Sequence, residues 1–204
     1  MKHNGSVLIF LGTVLILAAA ALTAYNLMES AQAEHFSANV VKQLELVSAT
    51  EPEQEIFASD AQPDYVRFPD MEMPEVTVED QTYIGTVQIP SLGLDLPVIS
   101  DWDYAALKQA PCRYQGSAYS GDLIVMAHNY DSHFGRLHKL RPGDDVYFKD
   151  TQGNLFAYEV GDLEEIPGSD VEAMPAEEWD LTLFTCTYGG QNRVTVRCFS
   201  VNHE

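Results

Sequence analysis

Three side chains with complementary chemistry stand at the ends of short apolar runs in this sequence. Cys186 closes the run LTLFTC, His128 follows the run DLIVMA, and Arg193 opens the run RVTV. A free thiol is mostly protonated near neutral pH, and cationic neighbours lower its pKa. Brought together, a thiolate could attack a carbonyl, an imidazole could protonate a leaving amine, and a guanidinium could hold an oxyanion. The three residues are therefore candidates for one nucleophilic site.

Each of these residues also has a purely structural interpretation. A free cysteine is most often a small buried hydrophobe, a histidine after a strand can be a turn residue, and an arginine can be a solvated charge. The turn between Cys186 and Arg193 has only six residues, 187–192, and a hairpin of that size returns Arg193 to the side of Cys186. This spacing favours the catalytic interpretation.

Several segments are similar to one known family. TLFTC at residues 182–186 resembles the TLxTC signature of the sortases, including the short turn and the arginine that then opens a strand. MAHN at residues 126–129 resembles the family's histidine strand, although Ala127 stands where glycine is usual. QIPSLGLDLPVI at residues 88–99 resembles the family's first hairpin. The resemblance covers residues 81–201.

The resemblance implies a mainly β fold, the closed eight-stranded sortase barrel with short helices. It also implies cleavage of an LPxTG-like sorting motif between Thr and Gly, through a thioester on Cys186. An amine of a peptidoglycan precursor or a pilin lysine would then accept the sorted protein. His128 would be the general acid and base, and Arg193 the oxyanion and substrate clamp. The residues expected to contact the substrate are Thr185, Asn129 and Tyr188.

The resemblance leaves some questions open. A cysteine peptidase that releases its thioester to water would use the same residues, and a non-catalytic surface β-domain would bury Cys186. The sortase class is not fixed. No convincing N-terminal lid or C-terminal anchor is visible, which disfavours the pilin-polymerising class C and favours a class B- or D-like enzyme.

The elements that must position these residues have the pattern of a β protein. Residues 82–89 and 94–99 predict a hairpin, residues 104–109 a short helix, and residues 145–149 with 154–166 an antiparallel pair. With the runs that carry the candidate residues, this gives seven or eight short strands. A closed barrel is the economical arrangement, because it leaves few edges exposed.

The N-terminus predicts a membrane anchor. Residues 7–25 are almost continuously apolar and are long enough for a bilayer-spanning helix. Lys2 precedes them and no acidic residue occurs before Glu29, so the N-terminus is expected in the cytoplasm and the rest outside the cell. The alternative is a cleaved signal peptide with the cleavage motif AQA at residues 31–33. We expect a single-pass protein of the cell membrane.

Three regions follow from this: a signal anchor at residues 1–25, an acidic extracellular stalk and linker at residues 26–80, and a catalytic domain at residues 81–204. The middle region has thirteen acidic residues against two basic ones. Its first half contains good helix formers and could extend the anchor. Its second half, rich in proline and acid, is expected to remain a loose tether.

Charge and residue spacing limit the partners. The formal net charge of −20 argues against a nucleic-acid partner and against docking on anionic lipid. No cofactor is expected. His128, His133 and His138 recur at intervals of five but do not predict a metal site, and the acidic loops have no calcium-ligand pattern. Residues 133–140 are expected to form a loop and a short strand. Cys112 and Cys198 could form a disulfide, but the reduced state is favoured.

Overall fold

Nine strands occur in the part of the chain that the computed structural model describes, which comprises residues 3–50, 63–170, 173–175 and 178–201. They are β1 (Val76–Val78), β2 (Gln81–Ile89), β3 (Leu94–Ile99), β4 (Cys112–Gln115), β5 (Leu123–Met126), β6 (Asp145–Asp150), β7 (Leu155–Pro167), β8 (Leu181–Cys186) and β9 (Asn192–Ser200). Two α-helices, α1 (His3–Thr50) and α2 (Asp64–Arg67), precede them.

Eight of these strands form a closed barrel. Their order is β2-β3-β4-β5-β8-β9-β7-β6, and an additional pairing of β6 with β2 closes the ring. Most neighbours are antiparallel, whereas β3–β4 and β5–β8 are parallel. The predicted mainly β fold, a closed eight-stranded barrel with short helices after a long apolar N-terminal helix, is confirmed. Strand β1 adds to one edge by pairing with β2.

The two strands at the centre of the order are apolar because both of their faces are covered. Leu123 of β5 and Leu183 of β8 are fully buried inside the barrel. On the outer face, Ile124 and Phe184 form a second cluster with Met174 from the β7–β8 connection. A strand covered on both sides needs apolar residues at every position rather than at alternate ones. This explains the continuous runs that precede His128 and Cys186.

The N-terminal half of helix α1 exposes large apolar side chains. Ile9 is 73% and Phe10 is 71% exposed. Leaving such a side chain in water forfeits about 1.5–3 kcal/mol relative to burial. Within the described residues, α1 is the one helix long and apolar enough to cross a membrane. It is therefore compatible with the predicted anchor.

The C-terminal half of α1 packs against the barrel. Ala33, Val40 and Leu44 are buried, and their spacing of seven and four residues places them on one helical face. Val40 and Leu44 share a core cluster with residues of the barrel and its loops, namely Val78, Tyr83, Ile99, Ala106, Leu107, Ala110 and Cys112. The predicted stalk is thus one continuous helix with the predicted anchor, and its last turns lie on the barrel wall.

The described part of the predicted tether also contacts the barrel. Tyr65 of α2 stacks on Tyr119 with ring centroids 4.8 Å apart, and β1 pairs with the first residues of β2. Residues 63–80 therefore lie along the barrel rather than hanging loose, while residues 51–62 of the predicted linker lie outside the described residues. The domain start predicted at residue 81 coincides with the first residue of β2.

The segment at residues 133–140, for which a loop and a short strand were predicted, contains instead a 3-10 helix, Phe134–Lys139. Its apolar residues Phe134 and Leu137 are buried at a spacing of three, which suits a 3-10 turn. Cys112 and Cys198 are both buried free thiols, so the favoured reduced state is the one found. Burial raises the pKa of each thiol to about 12.

Candidate active site

Cys186 is presented at the rim of the barrel because it is the last residue of β8. The five residues before it in the strand are buried, whereas Cys186 is half-buried. In the antiparallel β8–β9 ladder it stands directly opposite Arg193. Directly opposite side chains lie on one face of the sheet with Cβ atoms about 4.5–5.5 Å apart. The thiol and the guanidinium therefore share one side of the rim.

His128 reaches the same rim through the parallel pairing of β5 with β8. The register aligns Met126 with Phe184, so the two strands end at the same edge. The backbone N–H of Ala127 donates to the Phe184 carbonyl at 3.2 Å. The Thr185 hydroxyl donates to the Ala127 carbonyl at 2.8 Å. These bonds tie the residue before His128 to the two residues before Cys186.

The backbone after His128 is held by the 3-10 helix that follows it. The Phe134 N–H donates to the His128 carbonyl at 3.2 Å, and the Gly135 N–H donates to the Tyr130 carbonyl at 2.9 Å. Gly135 permits this close approach, since an added Cβ would lie 2.5 Å from the Asn129 carbonyl oxygen. The turn that carries His128 and Asn129 is therefore built on a well-packed support.

Arg193 is oriented by the turn between β8 and β9. Its Nη1 donates to the carbonyls of Gly190 at 3.0 Å and Asn192 at 3.1 Å. Gly168, at the end of β7, lets the guanidinium pass, because a Cβ there would lie 2.9 Å from Nη1. Both of these bonds use Nη1. Within the described residues, Nε and Nη2 of Arg193 donate no hydrogen bond.

One groove of about 260 Å³ joins Cys186, His128 and Arg193. The predicted substrate residue Thr185 also lines it. Asn129 is half-buried just behind His128, and Tyr188 is 84% exposed on the β8–β9 turn; neither lines this groove. Trp179 packs on Phe199 with ring centroids 4.5 Å apart.

Sequence reasoning missed the aromatic wall of this groove. Trp102 and Tyr104 lie in the β3–β4 connection, and Tyr114 is on β4. Trp102 is 6.1 Å from Tyr104 and 6.2 Å from Tyr114, and Tyr114 is 5.4 Å from Phe184, between ring centroids. Trp102 and Tyr104 remain 42% and 79% exposed. Exposed aromatic side chains beside a concave site were the available signal, but the connection has no regular pattern that would place them.

The imidazole of His128 has a partly buried environment with charges of both signs. Burial lowers the pKa of His128; the Glu29 carboxylate of α1 acts in the opposite direction, and Lys108 adds to the lowering. The Tyr130 ring packs against the imidazole with centroids 5.0 Å apart. An imidazole can give a proton to an amine and take one from it near neutral pH, which suits it to acid and base catalysis.

Arg197, a second arginine on β9, is not available as an oxyanion donor. It is 2% exposed. Its guanidinium donates to Glu164 at 2.8 Å, to the Met174 carbonyl at 2.6 Å and to the Ala173 carbonyl at 2.5 Å. Nη1 also donates to the Thr182 hydroxyl at 3.0 Å. Arg197 instead fixes the β7–β8 connection, which supplies Asp170 and Met174 to the groove.

The three recurring histidines do not converge. His133 is fully buried and His138 is exposed, with His138 Nδ1 3.0 Å from the Gly135 carbonyl. Across the part of the chain that the structure describes, no group of three or more His, Cys, Asp or Glu side chains is placed to hold a metal ion. The absence of a cofactor remains a prediction.

Comparison with known proteins identifies the architecture. The family model for the sortase domain matches residues 87–201. Sortase C of Streptococcus pneumoniae is 18% identical and superposes with a TM-score of 0.61, covering 81% of this chain and 97% of that one. Sortase C of Clostridium perfringens, solved with a C-terminal cell wall sorting motif, is 17% identical with a TM-score of 0.61, covering 81% and 100%. The sortase D5 transpeptidase of Clostridium perfringens is 15% identical with a TM-score of 0.59, covering 82% and 99%. No curated protein matches the sequence.

Proposed function

This chain belongs to the sortase family, whose members are transpeptidases acting on peptide bonds, and we propose that Cys186 is its nucleophile, His128 its general acid and base, and Arg193 its oxyanion donor. The observation that carries the proposal is the placement of all three side chains on one groove, with Cys186 and Arg193 paired across β8 and β9. Without His128 in the groove the leaving amine would have no proton donor, and without Arg193 the oxyanion would have no cationic partner.

The first half-reaction forms a thioester. The Cys186 thiolate attacks the carbonyl carbon of the residue before the scissile bond, and the carbonyl oxygen becomes an oxyanion. Arg193 stabilises that oxyanion through the guanidinium face that its bonds to Gly190 and Asn192 leave open. His128 gives its proton to the leaving amine nitrogen, the C–N bond breaks, and the acyl group stays on sulfur.

The second half-reaction reverses these roles. An incoming amine attacks the thioester carbonyl, and the now neutral His128 accepts a proton from the attacking nitrogen. The C–S bond breaks as the new amide forms, and the thiolate is restored beside Arg193. Asp170 lines the groove and favours the approach of a cationic amine through its carboxylate. Water in place of the amine would give simple hydrolysis.

The substrate we propose is an LPxTG-like sorting motif, cleaved between Thr and Gly. The groove is lined on one side by aromatic side chains and carries Met126 and Met174 as well. Such a surface suits the leucine and proline of a sorting motif, since both residues bind by burying apolar area. The acceptor amine belongs to a peptidoglycan precursor or to a pilin lysine. The enzyme we propose is class B- or D-like rather than a pilin-polymerising class C sortase.

The proposed location is the outer face of the cell membrane. Helix α1 supplies the exposed apolar span, and Lys2 before it favours a cytoplasmic N-terminus. The barrel and its groove then lie outside the cell. There they meet sorting-signal proteins that are themselves held at the membrane or the wall.

The test uses the full chain in detergent with a sorting-motif peptide and a glycine or lysine amine. A covalent adduct of the peptide on Cys186, found by mass spectrometry, and an amide product with the amine are expected. Cys186→Ala and His128→Ala should remove the product, whereas His138→Ala, at an exposed histidine, should keep it. Release only to water would make the enzyme a peptidase. No adduct together with slow alkylation of Cys186 would make it a non-catalytic domain.

A further inference from the structure

Helix α1 is bonded to the turn that follows His128 and to the β3–β4 connection. In the turn, Ser132 Oγ donates to the Ser30 carbonyl at 2.9 Å and lies 3.1 Å from the Ser30 hydroxyl. In the connection, the Gln109 carbonyl accepts a hydrogen bond from the Ser37 hydroxyl at 3.4 Å. These contacts link residues that are 102 and 72 positions apart in sequence. The helix is thus a structural neighbour of the groove.

Glu29 is the charged centre of this contact. Its Oε1 accepts a hydrogen bond from the Tyr25 hydroxyl at 2.8 Å and lies 3.7 Å from Lys108 Nζ. Its Oε2 accepts a bond from the Tyr130 hydroxyl at 3.3 Å. The carboxylate therefore bridges α1, the 3-10 helix at Ala106–Lys108 and the turn after β5. The Glu29 side chain is 23% exposed, so the surrounding water screens these interactions only in part.

Tyr130 transmits this contact to the site. Its hydroxyl is bonded to Glu29, while its ring packs on His128 at 5.0 Å and on His133 at 5.5 Å between centroids. A ring held at its polar end cannot swing away from the imidazole that it covers. The orientation of His128 is therefore coupled to a residue of the N-terminal helix.

We propose that Glu29 is a positioning residue of the active site: through Tyr130 it holds the imidazole of His128 in place, and its carboxylate favours the imidazolium that the first half-reaction consumes. This inference rests on the proposed role of His128 as general acid. Glu29 does not touch the reacting atoms, so its contribution acts through His128 alone.

The charged and titratable groups around His128 come from several elements. Glu29 of α1 favours protonation of the imidazole and Lys108 opposes it, as does the burial that lowers the His128 pKa most. Tyr130 and His133 adjoin the ring on its own segment. The groove side adds Cys186, Arg193 and Asp170. Of the charged groups that act on the His128 pKa, Glu29 is the acidic one.

This arrangement makes the membrane helix part of the catalytic unit. Glu29 lies four residues beyond Tyr25, the end of the apolar span, and one helical turn corresponds to about 5.4 Å. With α1 as the proposed anchor, this contact would hold His128 close to the membrane surface rather than at the end of a flexible stalk. Loss of the helix contact would change both the placement and the proton affinity of His128.

The decisive measurement is the protonation curve of His128 itself. Diethyl pyrocarbonate modifies a histidine in its neutral form and not in its protonated form, and peptide mapping by mass spectrometry assigns the modification to His128 at each pH. In the full chain, Glu29→Gln should move the midpoint of this curve to lower pH, because the carboxylate that favours the imidazolium is gone. Glu34→Gln, which removes the same charge from an exposed site on the same helix, should leave the midpoint in place. Glu29→Asp should largely restore it.

The direction in which the His128 midpoint shifts distinguishes positioning by Glu29 from a mere loosening of helix α1. If Glu29→Gln merely released α1, His128 would become more solvated and its midpoint would move to higher pH. A higher or unchanged midpoint would therefore overturn the proposal. In the same variant, thioester formation near neutral pH should fall roughly tenfold, since a smaller fraction of His128 then carries the proton that the leaving amine takes up. A lower midpoint without any thioester chemistry in the parent chain would support the coupling and refute the proposed function instead.

Discussion

Cys186 and Arg193 form the last directly opposed pair of the β8–β9 ladder at the groove. The six-residue turn that joins them closes through Thr187, whose N–H donates to the Asn192 carbonyl at 3.0 Å. The separation of the nucleophile and its cationic neighbour is therefore set by strand geometry rather than by a flexible loop. A charge fixed beforehand stabilises an oxyanion without reorganising at the moment of reaction.

Replacing Arg193 by lysine should impair thioester formation severely. Lysine keeps the charge, but a single ammonium cannot bond the Gly190 and Asn192 carbonyls and still offer a planar donor face to the oxyanion. We expect a loss of about 100-fold or more in the single-turnover rate, the scale seen when an oxyanion donor is removed. Arg141→Lys, at an exposed position outside the groove, is the matched control. A rate near that of the parent would mean that the oxyanion is held by another group.

The aromatic wall should determine substrate affinity. Trp102 and Tyr104 line the groove while remaining exposed, so each loses contact area with the peptide when truncated to alanine. We expect KM for a sorting peptide to rise roughly tenfold for each variant with little change in kcat, as for binding that is equal in the ground and transition states. Trp179→Ala removes an aromatic ring that packs on Phe199 away from the groove, and it should leave KM unchanged. A fall in kcat instead would place the wall in the chemical step.

Local patterns in the sequence were sufficient for the strands that carry the site. The run ending at Cys186, the short turn and the run opened by Arg193 predict a hairpin from neighbouring residues alone, and the structure contains it. The parallel pairing that brings His128 to the same rim joins residues 58 positions apart, as in the bond from Thr185 to Ala127. No hydrophobic periodicity in the sequence indicates such a long-range contact. There the resemblance to a family, not the pattern, supplied the expectation.

Other features depend on contacts that the amino-acid composition of a segment does not indicate. The acidic region before the barrel reads as a tether, yet Val40 and Leu44 bury a narrow stripe of α1 on the barrel. For Arg197, only the fold shows that its guanidinium is enclosed by Glu164 and two loop carbonyls. In both cases a few residues with long-range partners override the average character of their segment.

Loss of Arg197 should loosen the β7–β8 connection. Arg197→Met would leave the Ala173 and Met174 carbonyls without their donor and the Glu164 carboxylate without its cation. Breaking a buried, hydrogen-bonded pair costs about 3–5 kcal/mol, and the value here should fall at the low end because Glu164 is 43% exposed. The free energy of unfolding from denaturant titration measures this cost. KM should rise in parallel, since Met174 and Asp170 line the groove.

A double variant gives the control for that measurement. Glu164→Gln alone keeps the bonds from Arg197 to the loop carbonyls, so it should destabilise the fold far less and leave KM near the parent value. Arg197→Met with Glu164→Gln should be less destabilised than the sum of the single variants, because the two residues interact. Strict additivity would show that the ion pair contributes nothing and that the carbonyl contacts alone hold the connection.

Acid sensitivity of the fold should originate at His133. It is fully buried, and neither ring nitrogen has a hydrogen-bond partner of good geometry among the described residues. Burial lowers the pKa of His133 to about 4; His128 adds to the lowering, and the Gln109 backbone opposes it. An ordinary histidine pKa is about 6.5, so between these values the unfolded chain binds a proton that the folded chain excludes. The stability that depends on neutral His133 is complete above about pH 6.5 and is lost as the pH falls toward 4.

Denaturant titrations at a series of pH values measure this loss. The parent chain should lose about 2 kcal/mol of its free energy of unfolding between pH 7 and pH 5 through this residue. His133→Phe keeps an aromatic ring against Tyr130 but cannot take up a proton, so its stability should fall less over the same interval, whatever its value at pH 7. His138→Gln removes an exposed histidine and should retain the parent's slope. Equal slopes for the parent and His133→Phe would assign the acid sensitivity to other groups, with the half-buried His128 as the next to replace.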